Sequence, residues 1–190
     1  MENVESTETG DAARGDPDRI AAHVDTLHAY VRLRLGRALR AREGSIDIAQ
    51  SVVREALEHA DQFHGTDEGL RAWLMKRAEN KIRDRARFWK RDRRDVAREA
   101  AHDVDVDRGA AEACRTLLTP SRIVSAREDI ARLEAAFAEL SEDHRRVILL
   151  ARVAGLSHAE VARTMDKTEL ATRALLSRAM AKLAILLERD

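Results

Sequence analysis

Five basic residues and one asparagine recur at helical spacing in the middle of the sequence. The spaced residues are Lys76, Asn80, Arg83, Arg87, Lys90 and Arg94. Steps of three and four residues place side chains in one line along an α-helix. Like charges in such a line repel one another, and a bound polyanion relieves that repulsion. We call these residues the basic stripe. The pattern favours a nucleic-acid surface over a solvated face, because charges on a solvated face normally alternate in sign.

A second group of polar residues, near the C-terminus, is placed to begin two consecutive helices. Ser157 and Glu160 have the spacing of a capping box, in which each side chain bonds a backbone amide of the first turn. Asp166 and Lys167 predict a turn, and Thr168 is the expected N-cap of the next helix. On that helix the expected buried residues are Thr172, Leu175, Leu176, Ala179 and Leu183, and the outward ones are Glu169, Arg173, Ser177 and Arg178. The pattern predicts a helix-turn-helix, whose second helix meets base edges in the major groove. An ordinary helical hairpin has the same spacing.

The spacing of apolar residues predicts three helices in the first half of the chain. They span about 19–42, 45–61 and 68–94. Ser45 is the expected N-cap of the second helix. The third helix carries the basic stripe and is expected to bury Trp73 and Trp89.

Apolar periodicity is lost after this helix and returns near Ala126. In the new helix the residues expected to share a buried face are Ile130, Leu133, Phe137 and Leu140. Ser141 is the expected cap of the helix that follows, and Gly155 is expected to end it. These helices precede the helix-turn-helix and supply the rest of a small core.

The composition favours helices, since aromatic residues make up 3% of the chain and there are two prolines. The formal net charge is zero, but the charges are unevenly distributed. Twelve basic and four acidic residues between Leu70 and Arg98 give a local charge of +8, and the first 18 residues are acidic. This asymmetry points to a polyanionic partner.

Several classes of function are not expected. The histidines lack metal-ligand spacing, and we find neither a nucleophile constellation nor a phosphate-binding glycine loop. No catalytic residue, metal or cofactor is therefore predicted. Cys114 is the only cysteine, which excludes an internal disulfide. Without a visible secretory signal or a membrane-length apolar run, we expect a cytoplasmic protein that does not insert into membranes.

The predicted fold is all-α, with two small helical domains joined by a flexible linker. The predicted parts are a disordered acidic tail (1–18), a first domain (19–95), a linker (96–125) and a second domain (126–190) that contains the helix-turn-helix.

Seven segments resemble motifs of the extracytoplasmic-function sigma factors of the sigma-70 superfamily, and they occur in the family's order. The segments are Ser45–Gln50, Asp61–Gly65, Arg71–Leu74, Ala78–Asp84, Leu140–Ile148, Gly155–Ala162 and Leu176–Ala179. The resemblance covers about 19–95 and 126–188. It departs from the family at four positions, which are Ser51, Asp166, Leu170 and Thr172, where Glu, Gly, a small residue and Val are usual. These departures leave the promoter sequence open.

The resemblance implies a protein that binds core RNA polymerase, directs it to specific promoters and helps to melt them, without catalysing a reaction itself. It implies contacts with the polymerase clamp and flap and with promoter DNA, and leaves open whether an anti-sigma factor also binds. The residues implied for the clamp are Asp47, Gln50, Ser51 and Arg54. Those implied for the minus-ten element are Phe63, His64, Lys76, Asn80, Arg83, Arg87, Lys90, Arg91 and Arg94. Those implied for the minus-thirty-five element are Thr168, Glu169, Leu170, Arg173, Ser177 and Arg178.

Three other functions remain as alternatives at this point. A stand-alone helix-turn-helix regulator would bind duplex DNA without polymerase and would use residues 19–95 for a ligand or for dimerisation. A helical scaffold protein would bind no DNA, and an RNA-binding protein would prefer RNA to DNA.

Overall fold

The computed structural model describes residues 17–36, 39, 42–63, 65–92 and 126–189 of the chain. The first block, as we call it, has helices α1 (Pro17–Ala21), α2 (Val24–Arg34), α3 (Ser45–Glu58) and α4 (Asp67–Asp92), with a 3-10 turn at Ala60–Gln62. The second block has α5 (Ala126–Glu139), α6 (Glu142–Ile148) with a π-helical continuation at Leu149–Val153, α7 (His158–Met165) and α8 (Glu169–Glu188). Within these ranges there is no β-strand, and the predicted all-α class is confirmed. Most of the predicted tail and the whole predicted linker lie outside the described residues, so the division into two domains stays a prediction.

The first predicted helix is wrong in its length, since the chain turns at Ala22 and His23 and the second of the two resulting helices ends at Arg34. The backbone amide of His23 bonds the carbonyl of Ile20 at 3.0 Å, and its ring lies 2.8 Å from Asp67 Oδ1. The apolar spacing continues across this break, so the pattern carried no sign of it. The next helix also differs from the prediction, because Gly44 is its N-cap and Ser45 is its first residue.

The two tryptophans of α4 are half-buried, so their predicted burial is incomplete. Trp73 is covered by the guanidinium of Arg77, which lies 4.2 Å from the ring centroid. Trp89 donates its indole N–H to Glu43 at 2.9 Å. An indole N–H needs an acceptor, and an edge position supplies one more readily than an apolar core does. Phe88, beside Trp89, is 50% exposed.

In the second block, the helix ends and the buried face of α5 agree with the predictions from the sequence. The predicted face of α5 is buried, and Ser141 caps α6 by accepting the backbone amide of His144 at 3.3 Å. Gly155 ends the π-helical segment with a φ of +64°, a left-handed conformation that glycine adopts without steric cost. The predictions for Ser141 and Gly155 are confirmed.

Apolar residues of both blocks belong to one buried cluster. The α2 helix packs against the π-helical segment and against α5. Leu27 and Val31 of α2 are fully buried, as are Leu149 and Leu150 of the π-helical segment. The blocks therefore share part of their core.

A buried carboxylate lies between the blocks. Glu79 of α4 is 5% exposed, and its Oε1 accepts the Tyr30 hydroxyl at 2.9 Å and Arg146 Nε at 2.7 Å. Tyr30 belongs to the first block and Arg146 to the second, so the carboxylate joins them. Burial, reinforced by the charge of Glu79, raises the pKa of Tyr30 well above its usual value, so Tyr30 remains a hydroxyl donor.

Two further ion pairs cross between the blocks, and both start from α2. Arg32 Nε lies 2.7 Å from Glu134 Oε1 of α5. Arg34 pairs with Glu142 at the start of α6, and its Nε is 4.0 Å from Glu79. The Arg32–Glu134 pair is the more buried of the two, and a charge-assisted hydrogen bond is stronger than one between neutral groups.

We expect the Glu79–Arg146 bond to stabilise the fold measurably. Glu79→Gln keeps the size of the side chain but removes its charge, which should lower the free energy of unfolding by about 2 kcal/mol. Because the two residues are in contact, the losses from Glu79→Gln and Arg146→Gln should not add, and the coupling should be about 1–2 kcal/mol. Urea unfolding followed by circular dichroism measures both quantities.

The matched control is Asp84 and Arg87, a pair in α4 with a separation of 3.9 Å and side chains that are 69% and 62% exposed. An exposed pair of this kind should show a coupling below about 0.5 kcal/mol. Equal coupling in the two pairs would mean that the contact between the blocks does not depend on Glu79.

Candidate nucleic-acid interface

The α7 and α8 helices form a helix-turn-helix in which side chains cap both helices. Ser157 Oγ accepts the backbone amide of Glu160 at 3.2 Å, and Thr168 Oγ1 accepts that of Ala171 at 3.2 Å. Each cap satisfies one of the amides that the first turn of a helix leaves without a partner. The N-caps predicted for these two helices, Ser157 and Thr168, are confirmed.

The reciprocal half of the predicted capping box is absent among the described contacts, and a contact between the blocks takes its place. Glu160 pairs with Arg163, while the backbone amide of Ser157 donates to Glu68 Oε1 of α4 at 2.5 Å. Hydrogen bonding by Ser157, through its side chain and its amide, holds the pKa of Glu68 below its usual value. Local spacing could not predict this contact, because its two residues are 89 positions apart.

The turn between α7 and α8 has the left-handed conformation that the sequence allowed. Asp166 has φ 56° and ψ 50°, and it is the only residue other than glycine with a positive φ in the described ranges. Aspartate tolerates this conformation better than most residues with a Cβ atom. The amide of Lys167 bonds the carbonyl of Ala162 at 2.9 Å, which closes the end of α7.

The two faces of α8 are divided as the sequence predicts. The buried residues include Thr172, Leu175, Leu176, Ala179 and Leu183. The exposed ones include all six residues implied for the minus-thirty-five element, which are Thr168, Glu169, Leu170, Arg173, Ser177 and Arg178. On the exposed face Arg173 Nη2 lies 3.1 Å from Glu169 Oε2, so the carboxylate orients the guanidinium.

The described members of the basic stripe lie on an open face of α4. Lys76, Asn80, Arg83 and Arg87 are all exposed, as is Arg91. The side chain of Lys90, and the residues Arg94 and His64, lie outside what the structure describes. The face can therefore present several cations and one amide to a polyanion along three turns of helix.

The loop before α4 is held by contacts within the first block. Phe63 packs against Trp73 in a tilted arrangement with the ring centroids 5.6 Å apart, and a Cβ atom at Gly65 would lie 3.0 Å from Phe63 Cζ. His23 hydrogen-bonds Asp67, and this bond holds the pKa of Asp67 below its usual value. Phe63 is thus half-buried in the loop, and it shapes the loop instead of projecting from it.

The four residues implied for the clamp lie on two neighbouring strips of α3. Asp47 and Ser51 line a polar pocket beside Lys81 and Arg85 of α4. Gln50 and Arg54 line a separate groove of about 380 Å³ between α2 and α3.

Three residues of this groove were missed by the sequence analysis. Val24, Ile46 and Leu57 are 36%, 41% and 44% exposed, although each is a large apolar side chain. A signal was available, because Ile46, Val53 and Leu57 continue the line of Gln50 at helical spacing. The α3 helix therefore has more apolar surface than one buried face requires.

In the described part of the chain no cluster of His, Cys, Asp and Glu could hold a metal ion. Over the same residues no helix is both long enough and apolar enough to span a membrane.

Comparison with known proteins agrees with the fold. Residues 130–183 match the family model described as "Sigma-70, region 4", which covers α5 to α8 in large part. The chain is 28% identical over 179 residues to the RNA polymerase sigma factor CnrH of Cupriavidus metallidurans, covering 94% of this chain and 92% of that protein. It is 30% identical over 162 residues to the RNA polymerase sigma factor NccH of Alcaligenes xylosoxydans xylosoxydans, covering 82% and 83%. The chain is an extracytoplasmic-function sigma factor of the sigma-70 family.

Two solved structures have the same fold as this sigma factor. CnrH in complex with the cytosolic domain of CnrY is 24% identical, with a TM-score of 0.57 over 91% of this chain and 87% of that one. RpoE in complex with the anti-sigma factor NepR, from Bartonella quintana, is 20% identical, with a TM-score of 0.65 over 91% and 96%. This sigma factor binds core RNA polymerase and promoter DNA and directs the polymerase to promoters.

One residue of the helix-turn-helix should limit its stability. Thr172 is fully buried, and its Oγ1 has no hydrogen-bond partner among the described residues. An orphaned buried hydroxyl costs about 1–3 kcal/mol, so Thr172→Val should raise the free energy of unfolding by about 1 kcal/mol. Thr172→Ser, which keeps the hydroxyl and removes a buried methyl, should lower it. Thermal unfolding of the parent, Thr172→Val and Thr172→Ser gives their order of stability. A valine variant less stable than the parent would mean that the hydroxyl is hydrogen-bonded in solution.

Proposed function

We propose that this sigma factor binds the polymerase clamp through the groove between α2 and α3. The observation that supports the proposal is the position of exposed Ile46 and Leu57 beside Gln50 and Arg54. A contiguous patch of large apolar side chains in water marks an interaction site, and polar groups at its rim set the orientation of the partner. Asp47 and Ser51 extend the contact along the neighbouring strip of the helix.

A double substitution in α3 should separate polymerase binding from folding. Asp47 and Gln50 are both exposed, so Asp47→Arg with Gln50→Ala should leave helicity unchanged. Loss of these contacts should weaken binding to core polymerase about tenfold, the equivalent of ~1.4 kcal/mol. A pull-down with core polymerase and run-off transcription, each with and without the chain, measure the effect.

The control for this double substitution is Glu139→Arg, which makes the same change of charge at an exposed position of the second block. It should bind and transcribe as the parent does. Unchanged binding by the α3 variant would place the clamp contact on another surface. Absence of run-off transcription with the parent chain would contradict the sigma-factor function itself.

The proposal for α4 is that it contacts the melted minus-ten element. Single strands are bound by cationic grooves together with groups that contact unstacked bases. Lys76, Arg83 and Arg87 supply the charges, and Asn80, among them, supplies an amide that can bond the edge of a base. The loop at Phe63–Asp67 lies at the N-terminal end of the same helix and would complete this surface, together with His64, Lys90, Arg91 and Arg94.

For the second block we propose that α8 enters the major groove of the minus-thirty-five element. The N-cap and first three turns of α8 present Thr168, Glu169, Leu170, Arg173 and Ser177, with Arg178 at the edge. Arginine bonds guanine through two parallel hydrogen bonds, and the Glu169 carboxylate already orients the guanidinium of Arg173. We also propose that the second block binds the polymerase flap.

We further propose that an anti-sigma factor regulates this chain, that the chain acts in the cytoplasm, and that it catalyses no reaction itself. The first of these draws support from the two solved relatives, since each structure is a complex with a second protein. The same exposed apolar groove on α3 would have to be covered when such a partner excludes polymerase. The alternative of a stand-alone regulator is not favoured, because both sigma-factor relatives match the first block as well as the second.

The basic stripe should control how promoter binding depends on salt. Each duplex phosphate contact contributes about 0.9 to the slope of log affinity against log salt, and each single-strand contact about 0.7. Replacing Lys76, Arg83 and Arg87 together by Gln should therefore reduce the slope of holoenzyme–promoter binding by about two units.

Asn80→Ala is the matched uncharged variant on the same face. It should leave the slope unchanged and should reduce permanganate reactivity in the melted region, as expected if the amide contacts an unpaired base. An unchanged slope in the triple variant would show that the stripe is solvated in the promoter complex.

A further inference from the structure

A narrow strip of small residues runs along the outer face of α8, and a leucine begins it. The strip consists of Leu170, Ala174, Ser177 and Ala181, all of them exposed and spaced by four, three and four residues. Leu170 is 78% exposed, the largest value among the exposed large hydrophobic residues of the described ranges. The small side chains of Ala174, Ser177 and Ala181 project little from the helix, so the helix can approach another surface closely along this line.

Two arginines border the strip. With 3.6 residues per turn, Arg173 lies on one side of it and Arg178 on the other, about one quarter of a turn or less from its centre. Both side chains are exposed, and Arg173 is oriented by Glu169 at 3.1 Å. The charges are therefore placed to contact polar groups on either side, while the centre of the face offers a leucine, two alanines and a serine.

We infer that Leu170 contacts the 5-methyl group of a thymine in the duplex promoter element. This inference rests on the proposed entry of α8 into the major groove. Thymine is the one standard base that presents an apolar group at the floor of that groove, where the other edges present hydrogen-bond donors and acceptors. Leucine has neither a donor nor an acceptor, so its only favourable partner there is the methyl group.

The same leucine also disfavours other bases. If Leu170 covers the amino group of adenine or cytosine, or the oxygen of guanine, that group loses water and gains no hydrogen bond. Selection at this position thus has two sources, the burial of a methyl group and the penalty for a desolvated polar edge. A serine in place of the leucine would lack the apolar contact, and an alanine, which is shorter, would bury less of the methyl group.

The geometry also limits where the thymine lies. Residues three apart on a helix have Cβ atoms about 5–6 Å apart. Stacked base pairs are separated by about 3.4 Å. The thymine contacted by Leu170 should therefore be within one or two base pairs of the guanine proposed for Arg173, a position whose preference an Arg173→Ala variant should lose.

The test uses holoenzyme and a promoter recovered by the parent chain from a library with a randomised upstream element. Each thymine of that element is replaced in turn by deoxyuridine, which lacks only the methyl group. One replacement should weaken binding of the parent about fourfold, since one buried methyl is worth ~0.8 kcal/mol. Leu170→Ala should bind the thymine promoter about as weakly as the parent binds the deoxyuridine promoter. Replacing that thymine by deoxyuridine should cause no further loss of affinity in the Leu170→Ala variant.

Ile185→Ala is the matched control, because Ile185 is also apolar and 53% exposed on α8 but lies 15 residues further along. That variant should keep the fourfold effect. A parent that binds every deoxyuridine promoter as tightly as the thymine promoter overturns the inference, as does a Leu170→Ala variant that retains the loss. Failure of the proposed function looks different, because the library would then yield no upstream preference and Arg173→Ala would change nothing. Leu170 then contacts no base, and the inference fails as well.

Discussion

The carboxylate of Glu79 imposes the strictest requirement on this structure. It is almost fully buried, and a buried charge is strongly destabilising unless hydrogen bonds and an opposite charge accompany it. The hydroxyl of Tyr30 and the guanidinium of Arg146 meet that requirement from different helices and different blocks. The relative positions of α2, α4 and α6 are therefore coupled, since moving any one of them removes a partner from Glu79. The apolar contact of α2 with the π-helical segment adds buried area between the blocks. The hydrogen bonds of the buried carboxylate also require the helices to lie in one particular orientation.

Adjacent residues of α4 serve opposite purposes because of helical geometry. Glu79 faces the junction between the blocks, while Asn80, one residue later and about 100° further around the helix, is exposed on the basic face. The buried side of α4 thereby fixes the orientation of its open side. A similar division holds in α8, where the fully buried Thr172 adjoins the exposed Arg173. In both helices the residues that hold the fold determine the direction in which the polar face points.

Local interactions account for what could be predicted from the sequence. The caps at Ser141, Ser157 and Thr168, the turn at Asp166 and the two faces of α8 depend on residues within one or two turns of each other. Those predictions are confirmed. The break in the first helix was missed because the apolar spacing continues across it, and the contact of His23 at the break is with Asp67, 44 residues away. The role of Glu79 was missed for the same reason, since a single acid in a basic segment resembles a solvated residue until its distant partners are known. The exposed groove on α3 could have been found, because its apolar residues follow helical spacing.

The N-terminus of α7 has two possible acceptors for one donor. In this structure the amide of Ser157 bonds Glu68 of the other block, while Glu160, three residues along its own helix, pairs with Arg163. In a capping box, the side chain at the position of Glu160 accepts this amide. Arg163 is mostly exposed to water, so its ion pair with Glu160 contributes little stability. Glu160 therefore loses little if it gives up Arg163 and accepts the amide of Ser157. The hydrogen bond from Ser157 is therefore replaceable from within the second block. At this point separation of the blocks need not leave a helix end unsatisfied, and the helix-turn-helix has its own substitute for the contact it would lose.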